Sequence, residues 1–435
     1  MDKKSIGIGL IGCGIIGGQV ARVLKERADT LATEVGCPVE LRKIKVIPPD
    51  LERPLVGELG RELFTTDDEE FFAAPGIDVV AEAMGGETPA FDYVKRALAA
   101  GKQAVTSNKE LIAKRGAELM AVAREHNVTL RYEASVGGGI PLISCFQYDL
   151  VANKITGVYA IINGTTNYIL TRMAAEGVDF AAALKKAQEL GYAEANPEND
   201  IEGIDATYKL AILSSLAFHA RVGPDDIYRE GISRLSNRDF QYAQELGFAI
   251  KLLAIAKENQ GQIEARVHPV FIPADALLAK VDGVYNAVLV EGDLVDKVLF
   301  FGQGAGPLAT SSAVVADIVG AAIEVTHGNQ AQSGWRLEGG KVVKPMSEVV
   351  TRYYLRLSIE DQPGALAQIA KVFGSHEISI SSAIQKLTDP VVQTAEIVIV
   401  THDAVERAVQ AALDQLQHLP VVREISNFVR VEAED

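Results

Sequence analysis

At 435 residues the chain is longer than one ordinary core can hold, so two to four domains are expected. With 48% hydrophobic and 23% charged residues it has a globular composition, which excludes a disordered polymer. A formal charge of −16 excludes a broad basic face for nucleic acid or anionic membrane, though not a local basic patch for a phosphate.

Cys13, Cys37 and Cys145 are odd in number and lack CxxC spacing, so a reducing cytoplasm is expected rather than a disulfide framework. The charged start and the apolar run Ile6 to Ile16 resemble a leader only superficially, because glycines interrupt the run and no small-residue cleavage signal follows. No uninterrupted apolar stretch has the length of a bilayer span, and a soluble cytoplasmic protein is the expectation.

In chain order, Ser5 to Ile11 reads as a buried strand and Ile15 to about Arg27 as the following helix. Strand-like runs recur at Val39 to Ile47, Ile77 to Met84, Gln103 to Thr106 and Thr129 to Glu133, with helices at Thr88 to Ala100 and Lys114 to Asn127. This α/β alternation predicts a Rossmann-type, doubly wound parallel sheet over residues 1–133. Gly12-Cys13-Gly14-Ile15-Ile16-Gly17 sits where the first strand meets the first helix. There a GxGxxG permits a tight turn, lets backbone approach a pyrophosphate, and opens a helix whose N-terminus favours negative charge. The plainer alternative is a structural turn. The second strand runs into Ile47-Pro48-Pro49-Asp50, with Arg53 beyond, and neither the acid nor the arginine pattern is clean. NAD(P) is the expected cofactor, with NAD versus NADP open.

From Lys154 the pattern changes: a strand at Ile155 to Asn163, then helices at Asn167 to Glu176, Phe180 to Leu190 and Gly203 to Ala220. Strands return at Ala265 to Ile272, Asn286 to Glu291 and Asp293 to Phe301, and a helix begins near Ala309. An α+β substrate and dimerisation domain over 134–322 is expected, with a linker at 323–350. Residues 351–435 follow as strand-helix-strand-strand-helix-strand, the ferredoxin-like βαββαβ order.

Six segments then bear on chemistry. They are Met84-Gly85-Gly86, Thr106 to Glu110, Glu133 to Pro141, Asn163-Gly164-Thr165-Thr166-Asn167, the acid-rich stretch Gly191 to Lys209, and Gly302 to Pro307. Together, in this order, they resemble the homoserine dehydrogenase family over about residues 5–322. Asn196 and Asn199 depart from aspartates common there, and the family's arginine after the second strand is missing, which weakens an NADP assignment.

The resemblance implies oxidoreduction between L-homoserine and L-aspartate 4-semialdehyde in threonine, methionine and isoleucine biosynthesis. Such a reaction needs a protein group to manage the proton while the dinucleotide moves the hydride. A lysine suits this role when burial or a second cation favours its neutral form. By resemblance Lys209 is that group, and Lys109 lies beside nicotinamide and substrate. Asp205 precedes Lys209 by four residues, a helical ion-pair spacing that elsewhere is usually just a solvated surface pair. Glu194, Asp200 and Asp205 are acceptors for a substrate ammonium, although acids there also cap helices. Thr165 is a substrate donor or part of a structural turn. The cofactor set is Gly12, Gly14, Ile15, Ile16, Gly17, Gly85, Thr106, Lys109 and Gly306. The resemblance alone adds a monovalent cation, sodium, at Glu133, Val136, Gly138 and Ile140; histidines show no zinc spacing.

Asp361-Gln362-Pro363-Gly364-Ala365-Leu366, with Ile378-Ser379-Ile380, looks like an ACT domain. A turn before a helix leaves free N–H groups for a carboxylate. Asp361, Gly364, Ala365, Leu366 and Ile378 are the candidate effector contacts, and threonine is the effector implied; the alternative is a plain loop in a dimerisation domain. No nucleic-acid or membrane partner is expected, and the resemblance suggests a homodimer or homotetramer. Two rival readings stand beside this one: another ACT-bearing Rossmann dehydrogenase, and a non-catalytic amino-acid sensor that binds a dinucleotide. The lysine motifs contain no histidine of the kind 2-hydroxy-acid dehydrogenases use, and retention of both lysines speaks against the regulator.

Overall fold

The computed structural model describes residues 3–328, 337, 339–389 and 394–432. By internal packing the chain forms two compact units that do not follow the linear order of its segments. One comprises Met1–Thr156, Tyr208–Asp225 and Val290–Gly339; the other comprises Gly157–Thr207, Asp226–Leu289 and Gly340–Asp435.

The first unit is built on six strands, β1 (Ile6–Ile11), β2 (Val39–Lys45), β3 (Phe64–Thr65), β4 (Val79–Glu82), β5 (Gln103–Thr106) and β6 (Leu130–Arg131). They pair in parallel in the order β3-β2-β1-β4-β5-β6, the dinucleotide-binding arrangement that the alternating pattern implied. Every residue of β1 is buried, as a central parallel strand requires. Helices Ile15–Glu26, Ala28–Val35, Ala90–Ala99 and Lys109–Glu125 accompany the sheet. The sequence places the last of these from Lys114, but the Asn108 side chain accepts the Leu111 N–H and starts the helix at Lys109.

Helix Pro307–His327 runs on past residue 323, into the stretch expected to be linker. It is, among the described residues, the one helix whose length and composition would suit a membrane span, which the sequence reading did not count. Its Val314, Ile318, Ala321 and Ala322 are buried in the same core as Ile8, Leu10, Val20 and Val79, the position of an interior helix.

The second unit contains β7 (Ile155–Ile161), β8 (Tyr228–Arg229), β9 (Phe248–Asn259), β10 (Gln262–Pro273) and β11 (Tyr285–Gly292). After β12 (Asp296–Gln303), which lies in the first unit, come β13 (Val342–Val343), β14 (Val350–Glu360), β15 (Ile380–Asp389), β16 (Thr394–Thr401), β17 (Ala404–Val405) and β18 (Val422–Val431). The sheet of the second unit runs β11-β7-β9-β10-β18-β14-β16-β15. β9 and β10 form a long antiparallel hairpin closed by Gln260-Gly261, both at positive φ, the turn whose twist matches its strands. β14, β15, β16 and β18 with helices Ala365–Ser375 and Glu406–Leu416 make the expected βαββαβ module.

That module is not held by a linker alone. β18 pairs in parallel with β10 at Arg430 and Val431, and Tyr354 of β14 stacks on Phe271 at 4.5 Å. Arg266, 1% exposed, is ion-paired with Glu432 and Glu264, while Lys257 reaches Glu432 at 2.7 Å. Arg430 pairs with Glu406 at 2.6 Å and Glu230 at 2.9 Å. Arg356 is held by Asp239 at 2.9 Å, and Asp239 also forms a capping box with Ser236. Charges this deep are stable only because each has a partner; removing one partner of such a pair typically costs about 3–5 kcal/mol.

His268 lies within this seam, fully buried, with Nδ1 2.9 Å from the Pro269 carbonyl oxygen. Burial first, then the positive charges of Arg430 and Arg266, hold it well below the usual histidine value. A folded-state value depressed in this way contributes stability above the unfolded value, near 6.5, that is lost as pH falls. Urea unfolding of wild type and His268→Phe should therefore diverge below about pH 6.5, with the wild-type curve steeper by about 1.4 kcal/mol per pH unit. Parallel curves from pH 8 to 5.5 would show that this ring does not take up a proton on unfolding.

Candidate active site

The glycine turn after β1 is shaped by close backbone approaches. Gly12 has φ +87°, and a Cβ there would lie 2.8 Å from the Ala83 carbonyl oxygen after β4. A Cβ on Gly17 would collide with the Gly12 carbonyl, whereas Gly14 has open space in front of it. These are the tight-turn, helix-packing and ligand-approach roles expected of the three glycines. The turn borders a cavity of about 480 Å³ lined by Gly14, Ile15, Arg22, Arg53, Pro54 and Pro307, among others. Ile15 is exposed to it, Ile16 is half-buried, and Gly306 caps the helix that begins at Pro307. Arg53 bonds to Asp50 at 2.7 Å and lies 3.5 Å from the Cys13 carbonyl; Arg22 bonds to Glu58 at 3.1 Å. Sequence reasoning did not single out Arg22, because nothing in its helical spacing distinguishes it from a solvated surface arginine.

At the ends of β4 and β5 a second cluster forms. The Thr106 hydroxyl donates to Glu82 and accepts the Asn108 N–H, while the other Glu82 oxygen accepts the Met84 N–H at 2.6 Å. Burial pushes the Glu82 carboxyl above its usual range, against the lowering effect of those bonds. Asn108 also donates to the Gly86 carbonyl at 2.6 Å, so the loop after β4, which exposes Gly85, is tied to the start of the Lys109 helix. Lys109 is the first, half-buried residue of that helix. Further along it, Lys114 sits 5.6 Å from the ring of Tyr208, the residue before Lys209. The two lysine-bearing helices are thus brought together within the first unit. Lys209 itself is 8% exposed, a burial uncommon for lysine.

Glu133 is buried, and its carboxylate accepts the N–H groups of Leu142, Ile143 and Ser144 at 2.6–2.8 Å. Its own N–H donates to Asp317. Val136 and Ile140 are buried beside it, and Gly137 and Gly138 bend the loop at positive φ. A Cβ on Gly138 would meet the Gly304 carbonyl at 2.5 Å, so the Val136–Ile140 and Gly302–Pro307 loops are packed backbone to backbone. Among the described residues no group of three or more His, Cys, Asp or Glu side chains is set to hold a metal.

In the second unit the acid loop is organised by Asn163. Its Oδ1 accepts the Thr166 N–H and caps helix Gly164–Glu176. Its amide nitrogen donates to Asp200 at 2.7 Å and to Asp205 at 2.9 Å. Two carboxylates far along the chain from Asn163 are thereby held on its one side-chain amide, and Asp205, 5% exposed, lies in the first turn of helix Ile204–Ala217, which also carries Lys209. The sequence pattern ends a strand at Asn163 and begins the helix at Asn167, so it anticipates neither the cap nor the grip on both acids.

Thr165 instead donates its hydroxyl to the Tyr192 carbonyl at 2.6 Å, which ties the helix to the Gly191-Tyr192 loop. Glu194 is exposed, with its carbonyl bonded by Gln188. In the βαββαβ module Asp361, Gly364 and Leu366 are exposed around the turn, and Gln385 donates to Asp361 at 3.3 Å. Ala365 and Ile378 belong to the core of that module, away from the exposed face of the turn.

Comparison with known proteins accounts for nearly the whole chain. Family models match for the homoserine dehydrogenase NAD-binding domain at residues 12–133, homoserine dehydrogenase at 141–319 and an ACT domain at 353–420. A homoserine dehydrogenase of Neisseria gonorrhoeae is 40% identical over 440 residues, covering 99% of each chain. One of Corynebacterium glutamicum is 40% identical over 434 residues, covering 99% of this chain and 96% of that one. The crystal structure of a homoserine dehydrogenase from Thiobacillus denitrificans superposes with a TM-score of 0.92 at 40% identity over 100% of both chains. A hyperthermophilic archaeal homoserine dehydrogenase in complex with NADPH has a TM-score of 0.63 at 26% identity, covering 74% of this chain and 98% of that one. The chain belongs to the homoserine dehydrogenase family and carries an ACT domain at its C-terminal end.

Proposed function

We propose that the chain catalyses the nicotinamide-dependent interconversion of L-homoserine and L-aspartate 4-semialdehyde, with Lys209 as the group that exchanges the proton with the substrate oxygen. The burial of Lys209 on the helix that has Asp205 in its first turn is the observation that carries this reading. The dinucleotide, when bound along the glycine turn, accepts or returns the hydride. The protein's tasks are then to orient the substrate and to exclude water. Asp200 and Asp205, held by the Asn163 amide, are acceptors for the α-ammonium. Glu194, exposed on the same acid loop, is a further acceptor. Lys109, at the first turn of its helix, binds beside the nicotinamide and polarises the substrate.

A monovalent cation fits the Val136–Ile140 loop through carbonyl groups of Glu133, Val136, Gly138 and Ile140. The Glu133 carboxylate, which accepts three backbone N–H groups, holds the loop. Self-association into a homodimer or homotetramer belongs to the same reading, with Leu294, Leu299 and Phe301 as exposed apolar surface for a second copy. Feedback by threonine at the turn around Asp361 and Gly364 completes it.

NADP is the preferred dinucleotide in this reading, although the family's arginine after the second strand is missing. Two guanidinium groups, Arg22 and Arg53, line the cavity beside Gly14. Asp50, the acid that would otherwise accept from a ribose hydroxyl, is ion-paired with Arg53 instead. A 2′-phosphate suits such a surface better than a hydroxyl does.

In Lys209→Ala, kcat for homoserine oxidation should fall by about 100-fold or more while dinucleotide affinity stays within about twofold, as expected for loss of a general acid-base group. Normal turnover in that variant would remove the assigned proton carrier. By calorimetry, Arg53→Ala should weaken 2′,5′-ADP about tenfold and leave ADP within about twofold. Equal losses for both ligands would contradict the 2′-phosphate assignment.

A further inference from the structure

β4 ends on an ionisable group that the fold alone does not call for. Its residues Val79, Val80, Ala81 and Glu82 are all buried, Glu82 completely. Glu82 stands in register with Ile11 of β1 on one side and with Thr106 of β5 on the other. An aliphatic side chain fills that row in β1. A carboxyl in the same row loses its hydration, and among the described residues no Lys, Arg or His is ion-paired with it. The row lies at the carboxyl ends of parallel strands, where ligands bind in this fold.

Glu82 belongs instead to a closed ring of hydrogen bonds. One of its oxygens accepts the Met84 N–H at 2.6 Å, and the other accepts the Thr106 hydroxyl. The Thr106 oxygen accepts the Asn108 N–H at 3.0 Å. The Asn108 amide nitrogen then donates to the Gly86 carbonyl at 2.6 Å, on the same loop as Met84, and the ring closes. The Asn108 oxygen is used as well: it accepts the Leu111 N–H at 3.1 Å and starts the helix whose first residue is Lys109. A hydroxyl has one proton and two lone pairs. By taking that proton, Glu82 turns a lone pair of Thr106 toward the Asn108 N–H and so sets the start of the helix.

We infer that Glu82 is a positioning residue for Lys109, acting through Thr106 and Asn108 against the brace of the Gly86 carbonyl. The inference rests on the role proposed for Lys109 beside the nicotinamide. A carboxylate stands at the end of β4 because one group must accept from the Thr106 hydroxyl and from the Met84 N–H at once. Glutamine keeps the shape but not this double acceptance. With its nitrogen toward Met84, two donors face each other; with its nitrogen toward Thr106, the hydroxyl proton loses its acceptor.

Glu82→Gln in the full chain tests the relay. Without ligand, hydrogen exchange should quicken about tenfold in residues 83–87 and 107–111. The kcat for homoserine oxidation should fall about tenfold or more. Glu82 does not line the cavity beside Gly14, so calorimetric affinity for 2′,5′-ADP should stay within about twofold. In a Lys109→Ala background the same substitution should lower kcat by less than about threefold further, as expected of a residue that acts through Lys109. Asn108→Ser keeps a capping oxygen but is too short to reach Gly86; it should show the same split and serves if Glu82→Gln does not fold. Wild-type kcat or unaltered exchange in Glu82→Gln, with Lys109→Ala impaired, would overturn the inference and leave Lys109 in its role. Equal losses of kcat and of 2′,5′-ADP affinity would also overturn it. Wild-type turnover in Lys109→Ala would sink the reading of Lys109 itself.

Discussion

One side-chain amide, that of Asn163, sets the geometry on which the acid loop depends. Its oxygen is spent on a helix N-terminus and its nitrogen on two carboxylates. The result is mutual: the cap fixes the rotamer of Asn163, and the fixed rotamer places Asp200 and Asp205 side by side. Two carboxylates at that separation repel one another unless donors or a cation lie between them. The amide supplies one donor to each, and the role proposed for the pair is to accept a substrate ammonium. The rest of the loop is tied down around it, by Thr165 on Tyr192 and by Ile232 on Ile201.

A second constraint operates at the junction of β10 and β18. Arg266, Arg430, Glu406 and Glu432 are all buried there, and His268 is kept neutral among them. Their pairing makes the ACT module part of the same sheet as the β9–β10 hairpin, so the module is structurally continuous with the segment that carries the acids.

Much of this was legible from residues alone, wherever the signal is local. GxGxxG between a buried strand and a helix specified the turn that the structure builds from close contacts at Gly12 and Gly17. The six-segment order of the C-terminal module followed from periodicity. Local signals failed where neighbours decide. β9 is an almost continuously buried run without alternation, and it and helix Asn237–Glu245 were not anticipated. The Gln260-Gly261 turn between β9 and β10 offered only a modest hint. Asn108 was a readable cap, yet the helix was expected five residues later, which hid that Lys109 occupies its first turn. The two bonds from Asn163 and the parallel register of Arg430 on Val270 join residues far apart in the chain, and no local pattern encodes them.

The central claim is that the Asn163 amide positions Asp200 and Asp205 to bind the substrate's ammonium group. Asn163→Asp is the sharpest probe, because it keeps the capping oxygen and the side-chain shape but replaces both donated hydrogen bonds with a third negative charge. Steady-state kinetics should show the KM for homoserine raised about tenfold or more, with dinucleotide affinity close to wild type. An unchanged KM for homoserine in a folded, dinucleotide-binding Asn163→Asp enzyme would contradict the account.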